Sequence, residues 1–233
     1  MEASAPAIER PAPRPSRLAA LWKNAIGKKW LMAVTGIVLF AYVLVHMLAN
    51  LQVYSGSAET LNAYGRFLRI APALLWAARI VLLAALAVHV VAGVQLYLGK
   101  KRARPQDYAQ WTPAVSSPAS RTMIWSGFLI FAFVVYHLLD LTIGTANPDF
   151  RHGDIYHNII VSLAQLGASI AYLVAMLALG FHLWHGLWSM FQSLGVANRA
   201  WLRPLKKFAV IAATLIALGF ASIPIAVLTG VIR

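Results

Sequence analysis

"GIVLFAYVLVH" (residues 36–46) is an apolar run that opens on Gly36 and closes on His46. "GFLIFAFVVYH" (residues 127–137) has the same shape 91 residues later: a glycine, nine residues that are nearly all apolar, then His137. An echo at a fixed offset is the mark of an internal repeat. Each run lies in a stretch of about 20 residues almost free of charge, the length that crosses a bilayer as a helix. Five such stretches occur, about 31–51, 74–98, 122–143, 160–190 and 208–230. In a chain of 233 residues that is 60% hydrophobic and 12% charged they leave little for a soluble domain. Helices satisfy their own backbone groups in lipid. The expected fold is therefore an all-α membrane protein, with residues 21–233 forming one domain of five transmembrane helices.

The net charge of +13 reports topology, not nucleic-acid binding. Six basic residues precede the first span (Arg10, Arg14, Arg17, Lys23, Lys28, Lys29) and five separate spans two and three (Lys100, Lys101, Arg102, Arg104, Arg121). Four more separate spans four and five (Arg199, Arg203, Lys206, Lys207). The opposite side carries only Arg66, Arg69, Arg151 and Arg233, with Arg79 just inside span two. Fifteen against four is a positive-inside asymmetry, which puts the N-terminus in the cytoplasm and the C-terminus outside. Residues 1–20, rich in Pro and Ala at their start, are expected to be a disordered cytoplasmic tail. They lack the short apolar core of a signal peptide.

The chain has no cysteine. That excludes disulfides, thiolate-held iron–sulfur clusters and covalent haem attachment through C-x-x-C-H. Ionisable groups within a membrane point to function, and four of the five spans carry a histidine: His46, His89, His137 and His182, with His185 beside the last. At a rise of about 1.5 Å per residue, His46 and His137 lie about 24 Å from the cytoplasmic edge, and His89 and His182 about 15 Å. Two levels result, each with one histidine from each of two similarly oriented helical hairpins.

The glycines follow the same pairing. "HVVAG" (89–93) and "HLWHG" (182–186) place Gly93 and Gly186 one turn after a histidine. Gly36 and Gly127 fall ten residues before theirs, at the inner level. All four are expected to give a flat macrocycle clearance between helices. A lone intramembrane histidine is more often a packing residue or a proton relay. Four in matched pairs point to two six-coordinate b-type haems, His46/His137 outer and His89/His182 inner, in a dihaem four-helix core with the fifth helix alongside. The shared spacing favours His182 over His185 as the ligand, leaving His185 to face a propionate or quinone. Arg79 either snorkels to headgroups or pairs with a propionate. Ser189 and Gln192, with Ser193, lie where inner propionates would be. Asp140 has three open roles: orienting His137, pairing with Arg79, or accepting a proton. His152 and His157 are expected to be solvated, and Trp30, Trp76, Trp111, Trp188 and Trp201 to form an interfacial belt.

With these pieces the chain resembles the cytochrome b558 membrane subunit of bacterial succinate dehydrogenases and fumarate reductases, in its single-subunit, five-helix, dihaem form. The resemblance rests on "GIVLFAYVLVHMLANL", "SGSAETLNAYGRFLR", "RIVLLAALAVHVVAG", "WSGFLIFAFVVYHLLD" and "FHLWHGLWSMFQSLG". It implies a bacterial inner-membrane protein holding two haem b. A flavoprotein and an iron–sulfur subunit would dock on its cytoplasmic face, and a higher oligomer of the complex is compatible with it. It implies electron transfer between the iron–sulfur partner and a quinone, menaquinone by expectation. Some fumarate reductases of the family carry a glutamate two residues before the helix-four ligand; Gly180 stands there in this chain, which favours succinate oxidation. Glu59 is the only acid of the outer loop before span two. Two other readings compete. One is the quinol-oxidising dihaem cytochrome b of a nitrate reductase or formate dehydrogenase. The other is a haem-free proton-coupled transporter.

Overall fold

Apolar side chains along every face, with polar residues gathered at the ends, dictate membrane helices, and the computed structural model, which describes residues 21–103 and 117–233, is built there of helices joined by turns. The tail over 1–20, with Arg10, Arg14 and Arg17, and Arg104 and Trp111 of the second basic loop lie outside the described residues. Among the described residues, five helices are long and apolar enough to cross a membrane. They are α1 (Ala25–Asn50, running on in a tighter turn to Ser55), α3 (Pro72–Arg102), α5 (Met123–Leu138, widening into one π turn over Leu139–Ile143), α7 (Leu166–Ser193) and α8 (Leu202–Leu228). Short helices fill the connections: α2 (Ala58–Arg69), α4 (Pro118–Arg121) and α6 (Ile155–Leu163).

Helix starts follow local chemistry. Asn24 Oδ1 accepts from the Gly27 amide at 2.6 Å and caps α1. Ser117 caps α4 through the Ser120 amide at 3.1 Å, and Pro72 opens α3, where its missing N–H costs nothing. Buried Pro224 sits inside α8, which neighbouring helices tolerate within a membrane bundle.

The expected fourth span begins too early. Residues 160–163 belong to α6, and the chain turns at Ala164 and Gln165 before α7 begins. Ser169 Oγ closes the turn by donating to the Leu163 carbonyl at 2.5 Å. Hydropathy does not register the break because both sides of it are apolar. α2, expected as loop, and α6, expected as loop at its start and as span at its end, clasp each other at the end opposite the basic connections. Gly65 of α2 lies directly against Ile155 of α6, too close for any larger side chain. Asn62 donates to Asp154 Oδ1 at 2.9 Å and accepts from the Tyr156 amide at 3.1 Å. Asp154 in turn caps α6 by accepting from the His157 amide at 3.1 Å.

Two pairs of contacts show how the long helices run. Gly36 of α1 faces His89 of α3 and Gly93 faces Met32, so α1 and α3 are antiparallel. Gly127 of α5 faces His182 of α7, and His137 meets Tyr172, so the second pair is antiparallel too. The fifth helix packs on α7 and α1. Buried Leu183, Leu187, Ala209, Ala213 and Ile216 join Met47 in one apolar seam. Small residues let backbones approach, the device that substitutes for hydrophobic drive in lipid. A Cβ on Gly180 would lie 3.2 Å from Ala217 Cβ, and one on Gly219 would press on Met47.

Candidate functional site

The structure brings the four histidines together in two pairs. His46 and His137 have ring centroids 5.8 Å apart, and His89 and His182 6.3 Å. Each pair joins a histidine of the α1–α3 hairpin to one of the α5–α7 hairpin. His185 is not in either pair; it is half-buried one turn further along α7.

Hydrogen bonds at the inner pair fix the rings. Thr35 Oγ1 donates to the Leu31 carbonyl at 2.7 Å and lies 3.2 Å from His89 Nδ1. A hydroxyl has one proton; with it given to Leu31, Thr35 is placed to accept from His89 in the tautomer that carries its hydrogen on Nδ1. Ser126 repeats the arrangement, donating to the Met123 carbonyl at 3.1 Å with His182 Nδ1 3.3 Å from its oxygen. At the outer pair, His137 Nδ1 lies 3.1 Å from the Tyr172 hydroxyl, which donates to Asp140 Oδ2 at 2.8 Å. The same proton count suits a His137 that donates at Nδ1. In that tautomer Nε2 of all three rings keeps its lone pair. His46 is held by rings instead: Tyr42 stacks on it at 5.3 Å and Phe220 lies at 5.9 Å.

The glycines sit beside these rings. A Cβ on Gly36 would touch His89 Cε1 at 3.5 Å, and one on Gly127 would touch His182 Cε1 at 3.4 Å. Gly93 meets only Met32 Sδ at 4.0 Å, and nothing stands within 4 Å of a Cβ on Gly186. Gly36 and Gly127 thus face the imidazoles of the neighbouring helix.

Other expected site residues are placed as follows. Arg79 is exposed and lies over the Trp76 ring at 4.9 Å, the posture of a snorkelling cation. Asp140 bonds Ser162 and Tyr172, not Arg79. Ser189 accepts from Ser193 Oγ through its carbonyl at 3.0 Å, and Gln192 is exposed. Glu59 is exposed and ion-paired with Arg66. His152 is exposed, whereas His157, expected to be solvated, is 20% exposed and 3.0 Å from Asp149. Thr35, Ser126 and Tyr172 were not among the expected site residues. Their signal is the repeat: Thr35 and Ser126 immediately precede Gly36 and Gly127, 91 residues apart.

The donor set has a specific chemistry. Among the described residues no three or more His, Cys, Asp or Glu gather to hold a metal. A metal ion caged by protein alone takes three or four side-chain ligands. A porphyrin brings its own four and takes axial ligands from the protein. An iron between two imidazole nitrogens, each bond near the ~2 Å of first-row metal–histidine contacts, sets ring centroids about 6 Å apart. Both pairs match that spacing, and unprotonated Nε2 atoms suit the role. The residues present fit two haems.

The chain matches the family model described as succinate dehydrogenase/fumarate reductase transmembrane subunit over residues 99–221, more than half its length. That match spans His137 and His182 and stops short of His46 and His89. No curated protein and no solved structure matches the chain.

Proposed function

Because the chain belongs to the succinate dehydrogenase/fumarate reductase transmembrane-subunit family, we propose that it is the dihaem cytochrome b anchor of a succinate:quinone oxidoreductase in a bacterial inner membrane. The single observation that carries this reading is the pair of histidine pairs, each bridging the two hairpins at a centroid spacing of 5.8 or 6.3 Å. His46 and His137 hold the outer b haem, and His89 and His182 the inner one. Bound there, the haems would supply one-electron carriage between an iron–sulfur partner and a quinone, menaquinone by expectation.

The chain's own residues have defined tasks. Thr35, Ser126 and Tyr172 hold the ring tautomer that leaves Nε2 free. Gly36, Gly93, Gly127 and Gly186 keep side chains away from the cofactor plane. His185, Ser189 and Gln192 would serve the inner propionates or a quinone, while Arg79 snorkels to the outer headgroups. The basic connections face the cytoplasm and receive the iron–sulfur and flavoprotein partners, the latter carrying the dicarboxylate chemistry. Gly180 packs on Ala217 and offers no carboxylate for transmembrane proton transfer, so succinate oxidation is the favoured direction.

The test is a redox-titrated optical spectrum of the purified protein with haem counted per chain. Two b-type components are expected. His46→Ala and His137→Ala should remove one, His89→Ala and His182→Ala the other, while His185→Ala keeps both. Loss of the same component from His46→Ala and His89→Ala would overturn the pairing. A haem-free protein would favour the proton-coupled transporter, and copurification without a flavin subunit the nitrate reductase or formate dehydrogenase type.

A further inference from the structure

Asp140 is 1% exposed, a carboxylate buried in the π turn that ends α5. Two hydroxyls donate to its Oδ2, Ser162 at 2.7 Å and Tyr172 at 2.8 Å. Its Oδ1 is buried with no hydrogen-bond partner among the described residues. Every recorded bond of this side chain is therefore an accepted one. Tyr172 accepts from His137 Nδ1 at 3.1 Å. The result is a directed chain of donors, His137 to Tyr172 to Asp140, that ends on a carboxylate.

The inner level ends differently. The hydroxyls on His89 and His182 pass their protons to carbonyls of their own helices, Leu31 and Met123. Those chains terminate on neutral, already shared acceptors. An imidazole that donates its second N–H towards a carboxylate becomes a stronger metal donor and is held in orientation. Hydrogen bonds to a charged acceptor are shorter and stronger than neutral ones, and successive bonds polarise each other at low dielectric. A stronger axial donor stabilises the oxidised iron, and such bonding is one of the protein's levers on potential.

We propose that Asp140, acting through Tyr172, is a positioning residue that raises the donor strength of His137 and so sets the outer level electronically apart from the inner one. This rests on the dihaem reading above. Ser162 holds the same carboxylate oxygen from α6 but lies off the path to His137, which makes it an internal control.

The experiment is an equilibrium redox titration of the haem-loaded full-length protein and three variants. The two components are assigned beforehand by His46→Ala and His89→Ala. Tyr172→Phe cuts the chain at its middle, and Asp140→Asn removes the carboxylate while keeping its shape. In both, the outer midpoint is expected to rise and the inner midpoint to stay. Ser162→Ala should move the outer midpoint less than either. A purely structural Asp140 predicts another pattern: Ser162→Ala and Asp140→Asn lower thermal stability together, and Tyr172→Phe leaves the midpoint in place. An unmoved outer midpoint in Tyr172→Phe, or an equal shift in Ser162→Ala, overturns the proposal while leaving the dihaem reading intact. A protein with no haem at all defeats the dihaem reading itself, and this inference with it.

Discussion

Gly127 leaves a place where one carbon fits and a branched side chain does not, since its Cβ would stand 3.4 Å from His182 Cε1. That is ordinary contact, so Gly127→Ala should be accepted. Gly127→Leu would overfill the site, a change that costs about 1–3 kcal/mol in well-packed interiors. The inner haem component should then shift or disappear in the reduced-minus-oxidised spectrum, with the outer component near normal. Equal fading of both would assign the glycine to general packing. The histidines and these glycines were legible because an imidazole or a residue without a side chain stands out in an apolar run. The hydroxyls were not. Thr35 and Ser126 look like the small residues that any membrane helix uses for packing, and nothing local marks the ring they serve. Tyr172 stands ten residues before His182, so the depth reasoning applied to histidines would have set it level with His137.

Among the elements, the five long helices followed from apolar length alone, and their matches to the expected spans differ mainly at the ends. Two of the three short helices, α2 and α6, escape the sequence for opposite reasons. α2 is bounded by connections and reads as loop, while α6 is apolar enough to merge with α7 until Ser169 is seen bonding across the break to Leu163. The clasp between α2 and α6 responds to pH. The Asn62 amide, then the His157 backbone N–H, hold the Asp154 carboxyl below its ordinary value of 3.8. A group whose folded value is depressed stabilises the folded form above the unfolded value and loses that contribution as pH falls through the folded one. Amide exchange at His157 and its neighbours, corrected for the intrinsic pH effect, should accelerate as the pH drops below 3.8. Asp154→Asn should remove the pH step. A step that persists in the variant would place the titrating group elsewhere.

For the whole molecule, the proposed orientation rests on the basic asymmetry, and the structure puts aromatic rings beneath some of those cations. Lys101 lies 5.1 Å from the Tyr97 ring and Lys206 4.6 Å from the Trp188 ring, as long cations reaching from helix ends to an interface do. Alkaline phosphatase fused after Arg233 should be active, and fused after Arg102 inactive; the reverse pattern would invert the proposed topology. The contacts of Gly36 with His89 and Gly127 with His182 have a consequence for biogenesis. Each lies wholly within one hairpin, α1 with α3 and α5 with α7. A hairpin leaving the ribosome can therefore seat its own inner imidazole before its sister is made, and only the meeting of ring with ring awaits the second. The molecule is two rehearsed halves with one late handshake. Coexpressed fragments 1–110 and 111–233 should accordingly assemble in the membrane and copurify with the spectrum of the intact chain. Fragments that insert yet never associate would mean that the connection itself carries the assembly.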